Sequence, residues 1–450
     1  MKLKFINHAS YIVESSYSLL LHDPWLEGNA FNNGWSLLSK EISNEDIINY
    51  LNSSKKAINI WISHEHSDHF SISFIKALKA AKIRCKFFFQ KTADKRVLSY
   101  LLSNNFKVIE CKNGKEYRID NDLFLSVYPF SGGDSFCFLR TNTKNILNIN
   151  DCVIKTNRDA KRVLSRLPKG VSIDILFTQF GYANWIGRKE DYLLRKESAN
   201  EKFIRILIQE NNFNPDIIIP FASFIYFCKE DNFYMNDQQN FPNILRSDIS
   251  LKHIQEKINF MKPNQEVILG ENTLADLQRD TVDAESYWDS FESDIKQSNN
   301  KSMIQVSNSV SADDLVKLGK SFISKVRYQT LGIVSIFELA RILGLKPISF
   351  HVYDLDISFN LSYVKGISHV NSKYALISLH SSELAFILKN EFGWNTLCVS
   401  GAFRAQKSDI FDLNAFFRWQ DAIKNGFSAK HPLYTLRVVT NFILRRLYLN

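Results

Sequence analysis

The chain has 450 residues, 45% of them hydrophobic and 23% charged, a globular composition with room for two or three domains that excludes disordered, collagenous and coiled-coil classes. Lys and Arg outnumber Asp and Glu by 56 to 47, and the net charge of +9 favours anionic small partners such as phosphates, nucleotides or acidic sugars. The longest uncharged apolar stretch, Ile217 to Cys228, is interrupted by Pro220 and is too short to span a bilayer.

The amino terminus reads as short strands separated by turns, with Phe5-Ile6 and Tyr11-Ile12-Val13 flanking Asn7-His8-Ala9-Ser10, and Ser18 to Leu21 leading into His22-Asp23-Pro24-Trp25. A helix is expected from Asn44 to Asn52. Ala57 to Ile62 then reads as a buried strand that delivers the chain into Ser63-His64-Glu65-His66-Ser67-Asp68-His69. Phe74, Ile75, Leu78 and Ala81 predict a helix from Ser71 to Ala81. Further strands are predicted at Leu123 to Tyr128, Phe136 to Leu139, Ile146 to Ile149, Ser172 to Phe177 and Asp216 to Ile219. The polar stretch 293–313 is the expected boundary, dividing a domain 1–292 from a carboxy-terminal α+β domain 314–450. Beyond it come a helical pattern from Leu315 to Leu345, strands near Ile348 to Tyr353 and Tyr374 to Leu379, and a helix capped by Ser381 or Ser382. Gly393 to Leu397 with Gly401 to Phe403 suggests a strand-turn element, and Arg437 to Leu449 an amphipathic helix docked on its own protein.

His64, His66, Asp68 and His69 form a dense set of metal-ligand types at the end of a strand. An extended backbone turns His64 and His66 to one side, and a turn at Ser67 would bring Asp68 and His69 to a neighbouring position. Neutral imidazoles with a hard carboxylate suit Zn²⁺, and also Mn²⁺ or Fe²⁺.

The HxHxDH pattern resembles that of the metallo-β-lactamase superfamily. Asn7 to Tyr11 is similar to the opening hairpin of its L-ascorbate-6-phosphate lactonase-like branch, and Asp23-Pro24-Trp25 to that branch's turn. Ile146 to Cys152, Pro220 to Ala222 and Asn29 to Trp35 resemble the metallo-β-lactamase-like part of CMP-N-acetylneuraminate hydroxylase. The resemblance implies an αββα sandwich over about residues 1–292, with Asp151 as the bridging aspartate of a metal site. The hydroxylase family carries its oxygen chemistry on a Rieske domain, and this chain has no Cys/His pattern for one.

The family also places one histidine before the bridging aspartate and one after it. No histidine lies between His69 and His253. Asp134 is the obvious substitute for the first, and Lys229 stands near the second. Three readings follow: one cation on His64, His66 and Asp151 with Asp134; a second, weaker one on Asp68, His69 and Asp151; or a metal-free site kept for binding. His8 is expected to orient substrate or water, with Asp68 positioning the nucleophile or taking its proton, and Asp23 to bond a ligating histidine. Tyr182 and Trp185 are candidates for a substrate wall, with Arg188 and Lys189 meeting an anion.

The expected function is hydrolysis of a small anionic metabolite, a sugar derivative or nucleotide sugar, by metal-activated water. The alternative is a degenerate, non-hydrolytic binding module that partners an oxygenase in sugar modification; a redox di-iron protein is a third. Six cysteines without a paired motif point to a reduced, cytoplasmic protein. A homo-oligomer is compatible with the sequence, and no motif for nucleic acid is present.

Overall fold

Ala57–Ile62 forms the strand its apolar run demands, because both of its faces are covered. Trp61 turns into the layer between two sheets, while Ile60 and Ile62 turn toward helices. The computed structural model describes residues 1–296, 308–370 and 375–424, together with 427, 428, 433 and 436. The segment Arg437 to Leu449 lies outside the described residues.

Seven strands build the first sheet, in spatial order Glu266–Ile268, Lys2–Asn7, Ser10–Glu14, Ser18–His22, Ala57–Ile62, Cys85–Gln90 and Lys107–Cys111. Its amino-terminal strands are antiparallel, and from Ser18–His22 onward the neighbours run parallel. Six strands build the second: Ile217–Phe221, Ile175–Gln179 and Ile146–Asn150 in parallel, then Ser135–Thr141, Leu123–Pro129 and Glu116–Arg118 antiparallel.

Phe5, Tyr11, Leu20 and Phe88 of the first sheet pack on Leu125, Val127, Phe138 and Leu147 of the second. On the outer face of the first sheet, Leu19, Leu21, Phe87 and Phe89 meet Ile47, Leu51, Phe74, Leu78 and Leu101 from the helices Asn44–Ser53, Ile72–Ala80 and Arg96–Ser103. Helices Asn157–Leu164 and Tyr192–Phe213 cover the second sheet with Val163, Phe203 and Ile206. The order is helices, sheet, sheet, helices. Each fully buried large apolar side chain in these layers contributes roughly 1.5–3 kcal/mol of transfer free energy.

Local signals set the ends. Ser71 accepts from the Phe74 amide and starts its helix, and Ser43 with Asp46 forms a capping box on the helix before it. The strand expected from Ser172 begins later, at Ile175, because the Asp174 carboxylate is bound to the Asn145 amide in the preceding turn.

The carboxy-terminal described residues form an α+β unit. A five-stranded sheet, ordered Gly366–Val370, Ile357–Ser362, Ile348–Val352, Ile377–Leu379 and Arg404–Ala405, packs against Ala312–Gln329, Ser381–Lys389 and Asp409–Lys424. The helical pattern from Leu315 breaks where Leu331 and Gly332 both take left-handed backbone. The helix at residue 381 is capped by His380, whose side chain accepts from the Ser382 amide. Gly393 to Leu397 is helical rather than a strand-turn, since Trp394 and Leu397 bury one face at helical spacing. Among the described residues no helix is long and apolar enough to cross a membrane.

Candidate metal centre

The parallel strands Ala57–Ile62, Ile146–Asn150 and Ile175–Gln179 end on one rim of the sandwich, and the loops that follow them carry residues 63–69, Asp151 and the residues after Gln179. The turn between the strands Lys2–Asn7 and Ser10–Glu14 brings His8 to the same place. His64, His66 and Asp134 offer ligand atoms that lie within 4.8 Å of one another. The same holds for His64, His69 and Asp151, and for His8, Asp68 and His69. All seven candidate ligands therefore converge, although they come from four separate stretches of chain.

Asp23 organises the imidazoles. One of its oxygens accepts from the Ser63 amide at 2.8 Å; the other accepts from the Ser63 hydroxyl at 2.6 Å and from Asn150 Nδ2 at 2.9 Å, and lies 3.0 Å from His69 Nδ1. An ionised carboxylate only accepts, so Nδ1 of His69 carries a proton and Nε2 is the nitrogen that faces the other acids. The Ser63 hydroxyl donates its hydrogen to Asp23, so it accepts from His64 Nδ1 at 2.9 Å. His64 Nε2 is thereby left as an acceptor as well, and it lies 2.9 Å from His66 Nδ1. One buried carboxylate fixes which ring nitrogen of each of the two histidines faces the cluster.

The charges are concentrated. His69 Nε2 is 3.1 Å from Asp68 Oδ2 and 3.3 Å from Asp151 Oδ2. Burial disfavours the His69 imidazolium, but Asp68, Asp151 and Asp23 overcome it and hold its pKa well above the ordinary value. Burial likewise opposes ionisation of Asp68 and Asp151, and His69 reverses the sign for both, keeping their pKa values low. Burial, then the neighbouring His69 and His66, hold His64 well below the usual range. Asp134 is pushed up to about 7 by burial and by the charge of Asp151.

His8, Asp23 and Asn150 all have positive φ, at 37°, 36° and 46°, a conformation that costs non-glycine residues about 1–3 kcal/mol and clusters at functional sites. His8 is fixed nevertheless: its amide donates to Asn7 Oδ1 and its ring meets Trp25 edge-on at 5.5 Å. His8 Nε2 lies 3.4 Å from Asp68 Oδ2, while His8 Nδ1 and Asp68 Oδ1 are buried without a hydrogen-bond partner.

Behind Asp151, Gln179 Nε2 donates to Oδ1 at 3.3 Å and Gln179 Oε1 accepts from Lys202 Nζ at 2.6 Å. Lys202 is buried, and desolvation draws its pKa down to about 7. Ser63, Asn150, Gln179 and Lys202 were invisible as site residues in the sequence. Ser63 and Asn150 adjoin candidate ligands, whereas nothing in the sequence marks Lys202.

Other candidates sit elsewhere. Lys229 is bound to Glu383 of the carboxy-terminal unit rather than facing the cluster. Tyr182 is core, its hydroxyl bound to the Met235 carbonyl. Trp185 stacks on Phe403 with centroids 5.0 Å apart; beside it lies a 440 Å³ cavity that Lys155, Glu201 and Lys407 also line. Arg188 lies 3.7 Å from Asp191.

No family model matches the chain. It is 36% identical over 78 residues to the cytidine monophosphate-N-acetylneuraminic acid hydroxylase of Cricetulus griseus, 17% of this chain and 13% of that protein. The Xenopus laevis protein of the same name is 31% identical over 108 residues, 24% of this chain and 17% of that one. The match thus spans less than a fifth of these relatives. Neighbours among solved structures are metallo-β-lactamase-fold proteins. A possible metal-dependent hydrolase from Veillonella parvula has a TM-score of 0.42 at 16% identity, covering 59% of this chain and 98% of that one. A mutant of the CmlA beta-hydroxylase has a TM-score of 0.42 at 15% identity, covering 60% and 54%. The Bacillus subtilis metallo-beta-lactamase fold protein YhfI has a TM-score of 0.35 at 12% identity, covering 59% and 98%.

Proposed function

We propose that the chain is a metal-dependent hydrolase of a small anionic substrate, and that its site lies on residues 63–69, Asp134, Asp151 and His8. The observation that carries this reading is the pair of imidazoles, His64 and His69, whose Nε2 atoms face a cluster of carboxylates. Hydrogen bonds to Asp23 and Ser63 occupy both Nδ1 atoms, so Nε2 is the nitrogen each ring offers to a cation, His69 on losing the second proton that its acidic neighbours favour. A core that needed only stability would not gather three carboxylates around such atoms, nor leave Asp68 Oδ1 and His8 Nδ1 buried and unbonded.

The residues fit a divalent cation. His64, His66 and Asp134 with Asp151 would hold one, in the N/O ligand set that suits Zn²⁺, Mn²⁺ or Fe²⁺. His8, Asp68 and His69, with Asp151 shared, would hold a second. A bound cation supplies Lewis acidity there, lowering the pKa of a water toward ~7 and stabilising charge on a carbonyl or phosphoryl oxygen. Asp23 holds the imidazoles in the ligating tautomer, and Gln179 with Lys202 steers the Asp151 carboxylate. Where only the first position is filled, Asp68 Oδ1 remains as a buried acceptor for a proton released in the reaction. The net charge of +9 favours an anionic substrate, and a sugar derivative or nucleotide sugar is the class we propose. The division into residues 1–292, a connector 293–313 and a unit 314–450 belongs to the same proposal.

Elemental analysis of protein purified without added metal is the test. One or two equivalents of zinc, manganese or iron, lost in His64→Ala/His66→Ala, are expected. A chain that contains none and cannot be loaded overturns the proposal.

A further inference from the structure

The hexapeptide that carries the histidines is gripped from both sides by the carboxy-terminal unit. On one side Glu383, fully buried near the start of the helix Ser381–Lys389, accepts from Asn32 Nδ2 at 3.0 Å and is paired with Lys229. Asn32 sits in a run of three left-handed residues, Phe31, Asn32 and Asn33, with φ of 50°, 54° and 60°. Such a run costs about 1–2 kcal/mol per residue and persists only where its surroundings over-determine it. The turn reaches the candidate ligands directly: the Phe31 amide donates to Ser67 Oγ at 2.8 Å, and the Phe31 ring meets the His66 ring edge-on at 5.5 Å.

The unit also closes on the end of this turn. A Cβ on Gly34 would lie 2.4 Å from Cβ of Ser400, so only glycine allows the approach. Asn232 Nδ2 ties the two together by donating to the carbonyls of Gly34 and Ser400 at 2.9 and 2.6 Å. Trp35 Nε1 donates to the Val399 carbonyl at 3.2 Å.

On the other side Glu65, between the two histidines, accepts from Arg96 Nη2 at 2.8 Å on each carboxylate oxygen. The Arg96 guanidinium lies 5.6 Å from the ring centroid of Phe392, again in the carboxy-terminal unit. Two tethers of different chemistry, one through a buried carboxylate and one through an aromatic face, thus end on residues 65–67.

We infer that the carboxy-terminal unit is a working part of the cation site: Glu383 and Phe392 are positioning residues that hold His66 in its ligating place through Asn32 and Arg96. His66 is the candidate histidine ligand that is only half-buried, so it depends most on neighbours for its orientation. The inference rests on the proposed metal site for its purpose, and on the tethers alone for its geometry.

The test cuts the tethers without touching a ligand. Asn32→Gly removes the bond to Glu383, keeps the Glu383–Lys229 pair and suits the left-handed backbone; Phe392→Ala removes a partly exposed ring. In the metal-free double variant, carbethoxylation of His66 by diethyl pyrocarbonate, resolved by mass spectrometry, should be at least threefold faster than in the parent chain. The exposed His253 serves as internal reference and should react at an unchanged rate. Titration with Co²⁺, followed by its visible absorption, should show about tenfold weaker binding in the double variant, as expected when groups that orient ligands are lost. Each single variant should fall between, and thermal melting should move by no more than a few degrees. Unchanged His66 reactivity overturns the inference, whatever the Co²⁺ titration shows. A parent chain that binds no Co²⁺ overturns the metal reading, and the reactivity measurement still decides the tethers.

Discussion

Two fully buried histidines of the sandwich live under opposite electrostatics. His22 lies in the layer between the sheets, stacked on Tyr11 at 4.0 Å and edge-on to Trp61 at 5.2 Å, with neither ring nitrogen bonded. Burial alone lowers its pKa to about 3. His69, at the rim, is ringed by Asp23, Asp68 and Asp151, which override the same burial and raise its pKa. Desolvation is common to both, so the difference lies in the carboxylates that the rim collects and the interior excludes. A buried histidine reads as a site when acids face it, and as packing when aromatic rings do.

The largest effect should come from removing the acid that organises the rim. Asp23→Ala strands Ser63, Asn150 and His69 in a dry environment, and urea denaturation should show a loss of about 3–5 kcal/mol. A loss below about 1 kcal/mol would show that the network is not what distinguishes the rim.

The interior histidine gives the next effect, with a definite sign. The His22 pKa in the folded chain is below its unfolded value, so below pH 6.5 the unfolded chain binds a proton that the folded chain refuses. Stability therefore falls as pH drops from about 6.5 toward 3, by up to ~4 kcal/mol for a shift of this size. His22→Phe should flatten that part of the stability–pH curve in chemical denaturation experiments. An unchanged slope would place a charged His22 in the core.

Lys202 is a cation near the rim that the carboxylates do not rescue. Its folded pKa of about 7 lies below the unfolded value of 10.5, so its penalty grows as pH falls from about 10.5 and is close to full at 7. Lys202→Met should raise stability by about 1–3 kcal/mol at pH 7, with the gain fading toward pH 10. Denaturation at both pH values checks this; a gain that does not fade points to packing instead.

The smallest effect belongs to the partly exposed cluster of Glu14 with Lys2, Lys56 and Tyr50. Burial disfavours the Glu14 carboxylate, yet Lys56, Tyr50 and Lys2 bring its pKa to about 2. Its contribution is complete above about pH 4.5 and is lost as pH falls through 2. Solvent screening keeps it under about 1 kcal/mol, so Glu14→Gln should barely move the melting temperature at pH 7.

Much of the sandwich was legible because its strands are continuous apolar runs bounded by polar turns. Ala57–Ile62 and the helix that Ser71 starts match their expected limits within a residue. The element at Gly393 was misread because a short segment with two glycines resembles a turn. Its packing face, Trp394 with Leu397, exists only once a neighbouring helix covers it. In the candidate centre, the hexapeptide was named from residue chemistry, and Asp134, Asp151, His8 and Asp23 from the family resemblance; the structure brings them together. The tautomer-setting bonds of Ser63 and Asn150, and the Gln179–Lys202 pair behind Asp151, were not, because amide and hydroxyl side chains carry no signal until a partner is within 3 Å.

What the linear chain determined by itself is the layer architecture, through the period and length of its apolar runs, and the spacing of His64, His66, Asp68 and His69, through a turn six residues long. What only the tertiary structure decided is the meeting of that turn with Asp134, Asp151 and His8, and the reach of Glu383 to a loop 351 residues away. Periodicity is a local property that each segment carries alone. The convergence of distant side chains depends on how two sheets and a further unit settle on one another, and no short stretch of sequence contains it.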